Sequence, residues 1–261
     1  MIIRTLTLGA GALLASTAMA AAVPAVFLTD DATLVTVDSE TWEVQETVEV
    51  EGVERLHGID FRPADNELYG VDDQNRVVRI DLSTGASEEV STLNTEVPAA
   101  DAVAVDFNPA ADRLRVVSGT TNLRINVDTG EVTTDGELAF DAADENTGAT
   151  PGVVAVAYTN SFQKPEATAM YDIDATLGAL LQQTAPNDGT LATIGELGVE
   201  GTAPYAFDIH SSDGSENTAW LVTGGTVYTV DLESGAATEA GPLEGVDGEV
   251  RDVSFMPGPA M

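Results

Sequence analysis

Cysteine is absent from this 261-residue sequence, which excludes disulfides, thiolate nucleophiles and cysteine-ligated metals. Cationic residues are nearly absent too. Ten Lys plus Arg face 44 Asp plus Glu, and Lys164 is the only lysine. All the acids follow residue 29, so a chain without Arg4 carries nine cations and a formal charge of −35. Such a field repels nucleic acid and anionic lipid and excludes both as partners of the bulk surface. No long segment has the 3.6-residue apolar period of a helix. There is no Gly-x-Ser-x-Gly elbow and no phosphate-cradling Gly-rich loop before a helix, so serine hydrolase and nucleotide readings have no motif. No His, Asp and Glu cluster has recognisable zinc spacing.

What is present is a repeat. Gly58 to Val90 reads as four short strands: Gly58–Phe61 closed by Arg62-Pro63, Glu67–Val71, Arg76–Leu82, and a fourth after Ser83-Thr84-Gly85. Counting a partial unit at Ala25–Val50 as the first, a third copy runs from Ala102 through Asp106-Phe-Asn-Pro109, Asp112–Ser118 and Asn122–Gly130 to Leu138. A fourth covers Val153–Tyr158, Ala169–Asp174, Leu180–Thr184 and Leu191–Leu197. The next covers Tyr205–Ile209, Ala219–Val222, Val227–Leu232 and Ala237–Gly241. The turn between third and fourth strands falls at Trp42, Gly85, Gly130, Gly189 and Gly235, a period of roughly 45 residues with one longer step.

Ala25–Asp30, Thr33–Asp38 and Trp42–Val50 match only second, third and fourth strands, while Val250–Phe255 is a lone first strand. Joined, they complete one blade. The expected architecture is therefore an all-β, five-bladed β-propeller closed by pairing the C-terminal strand with the N-terminal strands. The alternative is six blades, with a hidden unit in the longer third-to-fourth region around the acidic loop Asp141–Pro151.

Residues 1–22 read as a signal peptide: Arg4, an apolar Leu6–Leu14, then Ala18-Met-Ala20 of small-x-small form. The apolar run is shorter than the roughly 20 residues a membrane helix needs. Residues 23–261 then form one propeller domain, exported to the periplasm or beyond, monomeric, with no membrane insertion after cleavage. Acidity with scarce lysine fits a salty medium, or simply a soluble acidic exoprotein.

The runs Gly58–Pro63, Asp106–Pro109, Asp112–Ser118, Asn122–Gly130, Ala157–Asn160, Pro186–Leu191 and Ala206–Ile209 together resemble an uncharacterised bacterial family, domain of unknown function four-three-nine-four. The resemblance covers nearly all of the mature chain. It implies a propeller-like, commonly exported protein and assigns no activity, hence no catalytic residue.

Two sets of residues could carry chemistry. Asp60, Asp106, Asp208 and Asp252 each lie in a first strand, the strand that lines a propeller channel; Ala157 takes the place in the fourth blade. They could ligate Ca²⁺ as a hard-cation site, or each could accept backbone N–H bonds from its own or the next blade. Arg113, Arg115 and Arg124 crowd one hairpin and could recognise a carboxylate or phosphate, or pair internally with Asp106, Asp112 or Asp128. His57 precedes a first strand and His210 follows one; either could act as a base or ligand. Two functions follow. One is a binding or scaffold module for a small ligand, a polymer or a protein; the other is a Ca²⁺-dependent hydrolase or lactonase with His57 as base. Fold alone cannot choose between them.

Overall fold

Runs of four to seven residues rich in Val, Ile, Leu and Thr, broken by Asp-, Asn- and Gly-containing turns, form strands too short to bury themselves except by stacking as blades. The computed structural model describes residues 23–98, 100, 102–212 and 216–256; the predicted leader, residues 1–22, lies outside them. Blade 1 opens with β1 (Pro24–Thr29), β2 (Thr33–Asp38) and β3 (Val44–Glu49). Blade 2 contains β4 (Leu56–Arg62), β5 (Glu67–Asp72), β6 (Arg76–Ile80) and β7 (Ser87–Thr92). Blade 3 contains β8 (Val103–Asn108), β9 (Arg113–Ser118), β10 (Thr121–Asn126) and β11 (Glu131–Thr134). A two-residue β12 (Ala139–Phe140) precedes blade 4, which is β13 (Val153–Tyr158), β14 (Met170–Asp174), β15 (Ala179–Ala185) and β16 (Thr190–Glu196). Blade 5 is β17 (Tyr205–Ser211), β18 (Asn217–Thr223), β19 (Thr226–Val230) and β20 (Ala237–Pro242). The chain then returns as β21 (Val250–Phe255), which pairs antiparallel with β1 and completes blade 1 in the order β21-β1-β2-β3.

The expected five-bladed ring and its closure are thus the observed ones, and among the described residues there is no sixth blade. The extra length before blade 4 goes into the Asp141–Pro151 loop and into β12, which adds a parallel fifth strand to the outer edge of that blade. Inner strands β4, β8, β13, β17 and β21 touch in a ring around the axis. They are almost wholly buried, whereas the outer β3, β7, β11 and β20 are largely exposed.

Each seam between neighbouring blades carries its own apolar core. Phe61, Leu68 and Ile80 meet Val26 and Leu34 between blades 1 and 2; Phe107 and Leu114 meet Tyr69 and Val77 between blades 2 and 3. All five positions marking the turn between third and fourth strands have positive φ, Trp42 included. At Gly85 and Gly130 a Cβ would lie 2.2 Å from Glu49 O and 2.0 Å from Thr92 O. Only glycine lets the backbones of adjacent blades come that close. Among the described residues no helix is long and apolar enough to cross a membrane.

Candidate functional site

Two rings of side chains encircle the axis, one buried and one open at the mouth. The buried ring is set by the residue before the last aromatic or aliphatic of each inner strand: Asp60, Asp106, Ala157, Asp208 and Ser254. Each polar member grips the following blade through its backbone. Phe107 N donates to Asp60 Oδ2 (2.7 Å), Tyr158 N to Asp106 Oδ1 (2.9 Å), Phe255 N to Asp208 Oδ2 (2.7 Å) and Phe61 N to Ser254 Oγ (3.1 Å). Ser254 Oγ itself donates to Asp60 Oδ1 at 2.6 Å. The ring opens at Ala157, and Ile209 N turns to its own neighbour, Asp208 Oδ1 (2.6 Å).

The fifth member is therefore Ser254, not Asp252. Asp252 sits one rung nearer the mouth, accepting from Ile59 N and Val253 N at 2.9 Å each. The discrepancy is one of register: Phe255, not the carboxylate, is the counterpart of Phe61 and Phe107.

Burial, followed by repulsion from the neighbouring carboxyls, raises Asp60 and Asp106 well above the usual carboxylate range. Burial also raises Asp208, and it pushes Asp252 up to about 8 against its two backbone donors. One oxygen from each of Asp60, Asp106 and Asp208 lies within 4.8 Å of the others. That spacing could hold a hard cation, but Ca²⁺ takes six to eight oxygen ligands. Both oxygens of Asp60 and of Asp208 are already engaged by protein donors. The ring works as a clasp between blades.

The arginine set resolves into internal pairs. Arg115, 1% exposed at its side chain, donates to Asp135 Oδ2 (2.6 Å), Asn122 Oδ1 (2.7 Å), Asn187 Oδ1 (3.2 Å) and Tyr158 Oη (3.2 Å). Arg124 makes a two-pronged contact with the same Asp135, at 2.6 and 2.9 Å. Internal pairing is as expected, but the partner differs: Asp112 and Asp128 are taken by Arg62 from blade 2, at 2.7 and 3.0 Å. Arg113 donates to Asp112 O (2.6 Å) and shares no partner with Arg115. Arg115 bolts blade 3 to blade 4, and the forks of Arg115 and Arg124 are committed to Asp135 within blade 3.

The mouth ring lies three residues before the clasp ring in every inner strand: Arg251, His57, Val103, Val154 and Tyr205. All five line one cavity of about 680 Å³ over the axis, with Arg55 and Pro204 beside them and Asp73, Glu96 and Glu249 also on its wall. The pairing register explains how three of them reach it. It breaks between Leu56 and Gly58, between Val153 and Ala155, and on β21 between Val250 and Asp252. His57, Val154 and Arg251 are the extra, unpaired residues of three β-bulges at equivalent places. Bulges re-aim side chains and are over-represented beside active sites.

Arg251 is half-buried. Its Nε donates to Asp30 O (2.8 Å), and Nη1 and Nη2 both reach Leu56 O, the former at 2.9 Å. Arg55 bonds Asp31 at the surface. Burial pulls the His57 pKa down; Asp73 opposes this, while Arg55 and Arg251 add to it. Burial and the Arg55 charge lower Arg251 as well. Of the residues singled out in the sequence, only His57 belongs to this mouth. His210 is at the other end of its strand, half-buried, its ring 5.9 Å from that of Phe255. Arg55, Arg251 and Tyr205 went unmarked; alignment on the final aromatic of each first strand would have brought out Arg251 and Tyr205 as equivalents of His57.

A family described as Domain of unknown function (DUF4394) matches residues 33–254. No functionally curated protein matches. Among solved structures the chain is similar to a Bacteroides thetaiotaomicron protein of unknown function, with 14% identity over 90% of this chain and 65% of that one, at a TM-score of 0.53. A Bacteroides caccae protein of unknown function follows at 13% identity, covering 84% and 73%, with a TM-score of 0.47. A Bacteroides thetaiotaomicron auxiliary nutrient binding protein gives 13% identity, 88% and 58% coverage, and 0.49. The chain thus spans less than two thirds of two of these proteins. At such identities the likeness is one of fold alone.

Proposed function

The chain belongs to the family described as Domain of unknown function (DUF4394), and on that premise we propose that it is an exported binding module whose ligand sits in the axial mouth. One observation carries this reading: five equivalent inner-strand residues converge on a cavity of about 680 Å³, three of them from β-bulges. That volume lies within the 300–1,000 Å³ typical of small-molecule sites. Export rests on the leader-like residues 1–22, and a monomer in solution remains part of the proposal. The carboxylate-hydrolase alternative loses its support, because its candidate groups accept backbone N–H bonds between blades.

The test is thermal unfolding of the mature protein against a panel of small organic solutes, with Val103→Trp as the filled-cavity control. A ligand of the native state raises the midpoint by mass action. At least one solute is expected to raise it in the parent protein and not in V103W. Equal shifts in both proteins would remove the mouth as the site. The same assay with chelator, Ca²⁺ or Mg²⁺ at constant ionic strength is expected to give coincident curves, since N–H and O–H donors already engage the buried ring. A Ca²⁺-specific rise would show instead that the ring's carboxyl oxygens take a cation.

A further inference from the structure

The two halves of the mouth differ in chemistry, and the difference names a ligand class. Blades 1 and 2 contribute Arg251, His57 and Arg55, three of the few basic side chains in the protein, whereas blades 3 to 5 contribute Val103, Val154, Pro204 and Tyr205. Arg55, Arg62, Arg76, Arg79, Arg115 and Arg124 each hold a carboxylate; Arg113, which bonds the Asp112 carbonyl, lies outside the mouth. Arg251 holds no carboxylate: its described partners are the carbonyl oxygens of Asp30 and Leu56. In a chain with 44 acids, a half-buried guanidinium bonded only to carbonyls, with Asp30 and Asp31 acting on it at a distance, has N–H groups to spare for a direct carboxylate partner. The carboxyl beside it, Asp252, makes no bond to it: its two oxygens are turned to Ile59 N and Val253 N, and burial raises its pKa to about 8.

Resting on the mouth as the binding site, we infer that its ligand is a small organic monoanion: a carboxylate seated on Arg251, with Arg55 and His57 beside it, and an apolar body lying against Val103, Val154, Pro204 and Tyr205. One guanidinium in the mouth without a carboxylate partner matches one negative charge. The acids on the wall argue against a dianion such as phosphate, which Asp73, Glu96 and Glu249 would repel. They do not make this an ammonium site, because all three are exposed and solvated, while Arg251 and His57 are half-buried. A ligand gains most by neutralising the charge that water reaches least.

The experiment is calorimetry or saturation-transfer NMR at fixed high ionic strength with four probes: phenylacetate, phenylacetamide, phenethylammonium and acetate. Phenylacetate is expected to bind about tenfold or more tightly than the isosteric amide, and acetate, lacking the ring, to bind at least about tenfold more weakly. Phenethylammonium is expected not to bind. Arg251→Gln erases the preference for phenylacetate over the amide. Should R251Q fail to fold for want of its grip on Leu56 O, Arg55→Gln serves, since it touches only an exposed pair, and it narrows the same preference several-fold. Amide or ammonium binding as tight as that of phenylacetate, yet abolished by V103W, overturns the anion assignment and leaves the mouth in place. No binding by any probe, or binding that V103W does not diminish, overturns both.

Discussion

The seam between blades 3 and 4 and the seam between blades 5 and 1 both pack an apolar core, but the first sets a buried ion pair beside it. In the first, the buried Arg115–Asp135 pair is embedded with Asn122, Asn187 and Tyr158, and the fully buried Asp172 and Gln183 lie on the blade 4 side. In the second, Trp42 meets Trp220 edge-on at 5.0 Å, Trp220 stacks on Phe255 at 5.8 Å, and Val35, Val37, Val222 and Val227 complete an apolar core. Blades 3 and 4 are consecutive in the chain, so a desolvated ion pair can set their angle while the connecting chain keeps them together. The closing seam joins blade 5 to β21, which follows it in the chain, and to β1 and β2 from the other end of the chain. It relies on apolar contact, which needs no charge to be desolvated and which many salts strengthen.

The comparison breaks most severely at Asp135. Asp135→Ala leaves Arg115 buried without a carboxylate and is expected to cost about 3–5 kcal/mol in urea unfolding. Arg115→Met with Asp135→Asn should recover much of that loss, because the desolvation penalty goes with the charges. A double mutant as unstable as D135A would mean that geometry, not charge, holds the seam. At the closing seam Trp220→Ala is expected to cost about 2–3 kcal/mol, less than a fully buried tryptophan because Trp220 is only half-buried. That cost should grow when sulfate is added, whereas the D135A cost should hardly move. Equal responses of the two variants would erase the distinction.

A smaller effect sharpens the polar side. Burial pushes Asp172 up to about 7; Gln183 Nε2, donating to Oδ2 at 2.9 Å, and the Arg115 charge oppose this, and Asp174 adds to it. Its Oδ1 and the Gln183 Oε1 are buried without a donor, as suits a carboxyl that carries its own proton. The folded pKa is raised above the unfolded value of roughly 3.9, so the native state binds the extra proton. The stability it confers is complete below about pH 4. It is lost as pH rises through about 7, at up to about 1.4 kcal/mol per pH unit. Asp172→Asn, which resembles the neutral acid, is expected to cost less than about 1 kcal/mol at pH 5 and to flatten this decline. The Asp252 carboxyl leaves a remainder of the same sign. An unchanged pH profile in D172N would show that Asp172 is ionised in the fold.

The repeat, the number of blades and the pairing of β21 with β1 were all legible in the chain. They depend on local signals: two-residue alternation, turn residues and a count of strands. Trp42, Gly85, Gly130, Gly189 and Gly235 mark the same turn in sequence and take the same positive φ in the fold, because that turn's chemistry is decided within four residues. His57 was also within reach, as a polar residue at the head of a first strand.

The tertiary structure alone decided what the charged residues do. A β-bulge adds one residue without altering the apolar-polar text around it. Arg251, the bulge residue, therefore came round to face the cavity beside His57, while Ser254 and not Asp252 stands level with Asp60. The partner of Arg115 depends on what stands across a seam, here Asp135 after the last strand of its own blade and Asn187 from the next. Apolar patterning is written residue by residue, since every strand needs a buried face wherever it is placed. The fate of a carboxylate or guanidinium is settled only when distant strands stack and show which donor, acceptor or open space lies opposite.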